Sequence, residues 1–368
     1  MMATVLDSNG SQSDSFKVES GVKQGCVIAP TLFSIFITMI LHLVDGKLPT
    51  GVEIIYWTDG KLFNLSRLKA KTKVTTTSVI ELQYADDNVV CAHSEEGLQA
   101  TLNTFAEAYE KLGLSLNIEK TKVLFQQAPA NPSAMPGIQV NGVTLENVDH
   151  FHYLGSHLST KVNIDTEIKH RLSSASAAFF QMKQRVFEDR DIRRDTKVLV
   201  YKAIVLPTLL YACETWTVYR HHTQLLEYFH QCCLKKILQI AWEDRRTNAS
   251  VLEEAKTSIE AMLLRHQLRW TGHIVQMLDH RLPKQMLYSE LKNGKRNVGG
   301  QEKRFKDGLK ANLKNCGIDT ENWEALALEC SNWRSAVTSS AAEGLRKKRA
   351  KRKARQVNPD RDRLPPGN

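Results

Sequence analysis

The stretch Val79-Ile80-Glu81-Leu82-Gln83-Tyr84-Ala85-Asp86-Asp87-Asn88-Val89-Val90-Cys91 decides how the chain is read. β-branched and aromatic residues lie on either side of a short acidic turn, which predicts two strands joined as a hairpin. The apex carries two adjacent carboxylates. Like charges this close repel each other unless they face water or share a divalent cation. Asp is common in turns, so a solvated turn is the ordinary reading of the tetrapeptide alone. A cation site needs support from the neighbouring sequence.

Behind the hairpin, Leu98, Leu102, Phe105, Tyr109 and Leu112 recur at helical spacing over 95–112, and Gly113 suits the residue that ends a helix. Leu114, Leu116 and Ile118 then alternate as a strand does. Ahead of the hairpin, residues 24–44 carry no charged side chain. Thr31, Ser34, Thr38 and His42 fall on one stripe of a helix opening at Pro30, which predicts a buried soluble helix rather than a membrane span. Residues 1–20 read as short extended pieces around the turn Asp7-Ser8-Asn9-Gly10, and 45–75 as mixed structure.

Further on, Pro129, Pro132, Pro136 and Gly137 make 126–137 a loop and the best internal boundary. Short strands are expected over 138–143 and 148–154. From Asp165 to about Gln276 the pattern is helical, with a break expected at Pro207. Residues 294–300 read as a loop, and 301–334 as short amphipathic helices. Residues 336–368 are poor in large apolar side chains and read as a tail. The expected organisation is 1–128, 129–160, 161–293, 294–335 and 336–368, and the expected class is α+β.

The chain has 368 residues, 42% of them hydrophobic, which is enough for a sizeable core. Met1 to Gly10 lacks the basic and apolar regions of a secretory signal. Seven scattered cysteines argue against a disulfide scaffold and for a reducing, intracellular compartment. The net charge of +10 points to a polyanion. However, Arg346 to Arg355 hold eight basic residues and no acidic one, so most of that charge is a short tail on a near-neutral body. Such a run suits phosphate contact or nuclear import.

Three further blocks give the hairpin its context. Gly21-Val22-Lys23-Gln24-Gly25-Cys26 precedes it, Gly113-Leu114-Ser115-Leu116-Asn117-Ile118-Glu119-Lys120 follows, and Phe151-His152-Tyr153-Leu154-Gly155-Ser156 comes later. In this order and spacing the chain resembles the reverse transcriptases of non-LTR (LINE-type) retrotransposons over roughly residues 1–335. The segments Leu210-Tyr211-Ala212-Cys213-Glu214-Thr215-Trp216 and Arg269-Trp270-Thr271-Gly272-His273 look like the thumb and post-thumb regions of these elements.

The resemblance implies a partial polymerase palm with a helical thumb, an RNA template and a DNA primer. It also implies Mg²⁺ or Mn²⁺ held by Asp86 and Asp87. It gives Lys120 a place near nucleotide phosphates and assigns Gln24, Gly25 and Tyr84 to template and nucleotide. Tyr153, Leu154 and Gly155 match the grip on the primer end. Two-metal transfer needs carboxylates from more than one strand. The family's upstream Phe-Asp-x-x-x-Ala-type motif is not matched by Asp7, Asp189 or Asp191. The expectation is therefore an orphaned half-site, a polypeptide that does not polymerise alone, and marginal folding of residues 1–125. The competing readings are a full polymerase whose start lies upstream and a non-catalytic nucleic-acid-binding protein.

Two other groups of residues bear on metal and nucleic-acid binding. Cys213, His221, His222, His230, Cys232 and Cys233 fit no paired zinc-ligand spacing, and no zinc is expected there. Arg265, Arg269 and His273 recur every four residues beside Trp270, giving a helix face that could meet nucleic acid or could simply be solvated. Neither a membrane nor an obligate protein partner is expected.

Overall fold

The computed structural model describes residues 2–3, 11–17, 26–127, 134–161, 163–293 and 302–339. The alternation around the acidic turn folds as a hairpin: Glu81–Tyr84 and Asp87–Val90 pair antiparallel, with Tyr84 opposite Asp87. Small antiparallel sheets and many helices make the chain α+β. It divides into two compact units. The first comprises residues 1–52, 78–121 and 137–145, and the second 53–77, 122–136 and 146–368.

In the first unit, Ser94 opens the helix Glu95–Lys111 by accepting the Gly97 N–H, and Gly113 follows its end at φ +74°. Phe105, Ala108 and Tyr109 bury against Ile40 and Val44 of the helix Ala29–Val44. That second helix was expected to be buried, and here the structure differs. Leu32, Phe33, Ile35 and Met39 are exposed, because among the described residues the helix Glu95–Lys111 packs on one face of it. Two groups of its polar stripe are satisfied within the helix: the Ser34 and Thr38 hydroxyls donate to the carbonyls of Pro30 and Ser34.

The expected strand over 114–118 does not form. Asn117 turns the chain instead, its side-chain oxygen accepting the Lys120 N–H at 3.0 Å. The expected strand 138–143 is a hairpin of Gln139–Val140 with Val143–Thr144. Asn141 and Gly142 take φ +51° and +79° at its turn, a pairing suited to this conformation. Gln99 exchanges two hydrogen bonds with the Gln139 backbone and fixes this hairpin to the long helix. Met2–Ala3 pairs with Phe16–Lys17.

In the second unit, His150–Tyr153 and Ser156–Ser159 form a hairpin, shorter than the strand expected over 148–154. Helices follow at Asp165–Met182, Arg220–Ile237 and Ile259–Gln276. Tyr201, Leu206, Leu226, Leu234 and Ile237 are fully buried among them. The expected break at Pro207 does not occur. The chain stays helical from Arg194 to Leu209 through a π turn at Tyr201–Val205, whose wider spacing accommodates the missing N–H. The break falls at Ala212, φ +57°.

A second core joins Leu268, Trp323 and Trp333. Gly272 is essential to it. A Cβ there would lie 2.0 Å from Trp333 Nε1, which donates to the Leu268 carbonyl at 3.0 Å. Val337 is buried and 336–339 continue a helix, so these residues are structured where a tail was expected. The turn 7–10, the loop 294–300 and the basic run 346–355 lie outside the described residues.

Candidate functional site

Tyr84, Ala85, Asp86 and Asp87 are all exposed. The cross-strand pairing explains how they are presented. Gln83 pairs with Asn88 and Tyr84 with Asp87, so the two pairs point to opposite faces. The Gln83–Asn88 face turns toward the long helix, where Asn88 Nδ2 donates to the Tyr109 hydroxyl at 3.2 Å. Tyr84 and Asp87 therefore share the open face. Ala85 takes φ +53° in the two-residue turn. A residue with a Cβ is strained there, and such strain concentrates at functional sites. Glu81 lies on the covered face, and burial raises its carboxyl above the ordinary value.

Exposed carboxylate oxygens suit a hard divalent cation. Asp86 and Asp87 supply two adjacent carboxylates at this tip. Among the described residues no third Asp, Glu, His or Cys joins them in a ligand cluster. Lys120 is exposed in the turn after the long helix. Gln24 and Gly25 lie outside the described residues.

The second hairpin ends differently. Its turn residues Leu154 and Gly155 take φ +47° and +81°. Here the tip is held on three sides. The Tyr211 hydroxyl donates to the Leu154 carbonyl at 3.0 Å, and Arg171 donates to the Gly155 carbonyl. The Arg171 guanidinium also sits 4.6 Å over the Tyr211 ring. Buried Glu167 closes the set: Oε1 accepts from Arg171 Nε and Oε2 from the His157 N–H, each at 2.6 Å. Both Glu167 oxygens and two of the three Arg171 nitrogens are thus matched, which favours tolerance of a buried pair. The sequence marked Tyr153-Leu154-Gly155 and the block around Tyr211 as separate motifs, and the structure brings them together. Glu167 and Arg171 were missed; their only signal was an i, i+4 acid–base pair on a helix.

On the helix Ile259–Gln276, Arg265, Arg269 and His273 are all exposed. Trp270 is half-buried against the second core, its ring 5.6 Å from that of His273. The basic face is open, but the indole is partly packing.

The six cysteine and histidine candidates separate. The Tyr201 hydroxyl and His230 Nδ1 share a 2.8 Å hydrogen bond, and burial holds His230 down at about 4. Burial pushes the Cys213 and Cys233 thiols up to about 12. Asp165 Oδ1 takes His222 Nε2 at 2.6 Å and His221 Nε2 at 3.2 Å, bonds that hold its carboxyl below the ordinary value. Among the described residues, no helix is long and apolar enough to cross a membrane.

The hairpin with the open acidic tip is backed by a helix within an α+β unit. Residues 1–158, less than half of the chain, match the family described as reverse transcriptase (RNA-dependent DNA polymerase). The chain is 26% identical over 274 residues to the uncharacterized transposon-derived protein F52C9.6 of Caenorhabditis elegans, covering 72% of this chain and 97% of that protein. It is 26% identical over 245 residues to the RNA-directed DNA polymerase from mobile element jockey of Drosophila funebris. The Drosophila melanogaster jockey polymerase is 24% identical over 242 residues. Each jockey match covers 64% of this chain but only 24% and 23% of those polymerases, respectively. No solved structure matches the chain.

Proposed function

We propose that this chain serves RNA-directed DNA synthesis by a non-LTR retroelement, with Asp86 and Asp87 as the cation-binding end of its palm. The observation that carries this reading is the open acidic tip, set in a strained turn inside the segment that matches reverse transcriptases. A bound Mg²⁺ or Mn²⁺ would polarise the reacting hydroxyl and stabilise developing charge on phosphate. The chain's own groups have separate tasks. Tyr84, Gln24 and Gly25 meet template and nucleotide, and Lys120 meets phosphate. The locked tip at Tyr153, Leu154 and Gly155 steadies the primer end. Arg265, Arg269, Trp270 and His273 bind the nucleic-acid backbone and bases. The basic run 346–355 adds phosphate contact and nuclear import.

Two carboxylates without a third among the described residues make half of a two-ion site. In this reading the 368-residue polypeptide binds primer–template but does not extend it. The test is primer extension with an RNA template, dNTPs and Mg²⁺ or Mn²⁺. No product above an Asp86→Ala control is expected, together with binding that weakens as salt rises. Clear extension abolished by Asp86→Ala would show a complete polymerase and overturn the half-site. Absence of any nucleic-acid binding would overturn the reading as a whole.

A further inference from the structure

Three clusters outside the acidic tip bring potential metal ligands together. In the cluster Asp165, His221 and His222, the ligand atoms are already engaged. Asp165 holds both imidazoles, and His222 Nδ1 accepts the Tyr219 N–H at 3.2 Å. The cluster Cys213, Glu214 and His266 includes a buried thiol that resists becoming the thiolate a metal needs. The third cluster, His152, His157 and His170, is different in kind.

His152 and His157 face each other directly across the hairpin, and His170 reaches them from the helix Asp165–Met182. Their ring centroids lie 5.0, 4.2 and 5.9 Å apart. Three imidazoles around one zinc, at Zn–N of about 2.0–2.1 Å in tetrahedral geometry, place their centroids about 5 Å apart. One nitrogen from each ring lies within 4.8 Å of the others, so small side-chain rotations close the set. Imidazole is a preferred zinc ligand. The backbone beneath is held: His157 N–H is bound by buried Glu167, and the same Glu167 offsets the charge of Arg171, the residue after His170. His152 is exposed, which gives an ion a way in and leaves a fourth position to water.

We propose that His152, His157 and His170 bind one Zn²⁺, which clips the hairpin at 150–159 to the helix that follows it. The site is independent of the acidic tip and does not rest on the polymerase reading.

The test uses the full chain with Zn²⁺ alone as probe. Bound zinc is counted after dialysis, affinity is measured against a chelating indicator, and melting is followed with and without the ion. One zinc per chain and a higher melting temperature with zinc are expected. His152→Ala, at an exposed position, should weaken binding at least about 100-fold, the upper end of what loss of even an outer-shell partner costs. It should also abolish the thermal shift. His170→Ala should do the same, while His221→Ala should change neither. Equal zinc binding by the parent and His152→Ala, no uptake at micromolar zinc, or loss on His221→Ala would each overturn the site. Thiolate charge-transfer bands in the Co²⁺-substituted protein would also overturn it, by assigning the metal to cysteine.

Discussion

The two hairpins, Glu81–Val90 and His150–Ser159, have the same construction but opposite finish. Each closes on a two-residue turn with a non-glycine residue at positive φ, Ala85 in one and Leu154 in the other. The first leaves its tip bare, with Asp86 and Asp87 in solvent. The second is tied by Tyr211, Arg171 and Glu167. The units behind them differ as well. Among the described residues, five buried side chains form the core that backs the acidic hairpin, whereas the helical region has a far larger one. The contrast suggests a division of labour. In the proposed reading the open tip takes up a cation, while the tip that steadies the primer end is braced by a buried ion pair.

The largest expected effect comes from removing the brace. Glu167→Ala leaves Arg171 buried without its partner and should cost ~3–5 kcal/mol in the second unit. All six tryptophans lie in that unit, so urea unfolding followed by tryptophan fluorescence reads it directly. An unchanged midpoint would break the comparison.

The deep core also predicts a pH response. His230 is held at about 4 in the folded chain, below the ordinary histidine value. Burial therefore favours its neutral form, and the unfolded chain takes up the proton first as pH falls. Stability is full above about pH 6.5 and is lost between there and about pH 4, by ~3 kcal/mol for this group. Unfolding at pH 7 and pH 4.5 should show a smaller loss in His230→Gln than in the parent.

Smaller effects sharpen the contrast between the tips. Tyr211→Phe removes the bond to the Leu154 carbonyl and should cost ~1 kcal/mol. Ala85→Gly relieves the positive φ of the acidic turn and should stabilise it by ~0.5–1 kcal/mol. Amide exchange across Glu81–Val90 would report the gain as slower opening.

These comparisons also show which features were legible in the sequence. The acidic hairpin and the helix Glu95–Lys111 were read correctly, because strand alternation, a Ser cap and a terminal Gly act locally. The helix Ala29–Val44 was placed but not its exposure, since composition does not reveal how many neighbours cover a helix. Leu114, Leu116 and Ile118 alternate without forming a strand because Asn117 captures the backbone for a turn. Pro207 misled for the opposite reason: a π turn absorbed what a regular helix could not. The brace of Glu167, Arg171 and Tyr211, like the histidine cluster, joins residues distant in sequence and is visible only once the chain is folded.

The most direct test of the acidic tip is Mn²⁺ binding read by electron paramagnetic resonance. It should be run in the His152→Ala background, so that the imidazole cluster does not contribute. The account predicts that Mn²⁺ binds this protein and that Asp86→Asn with Asp87→Asn removes the binding. Equal binding with and without the two carboxylates would contradict it.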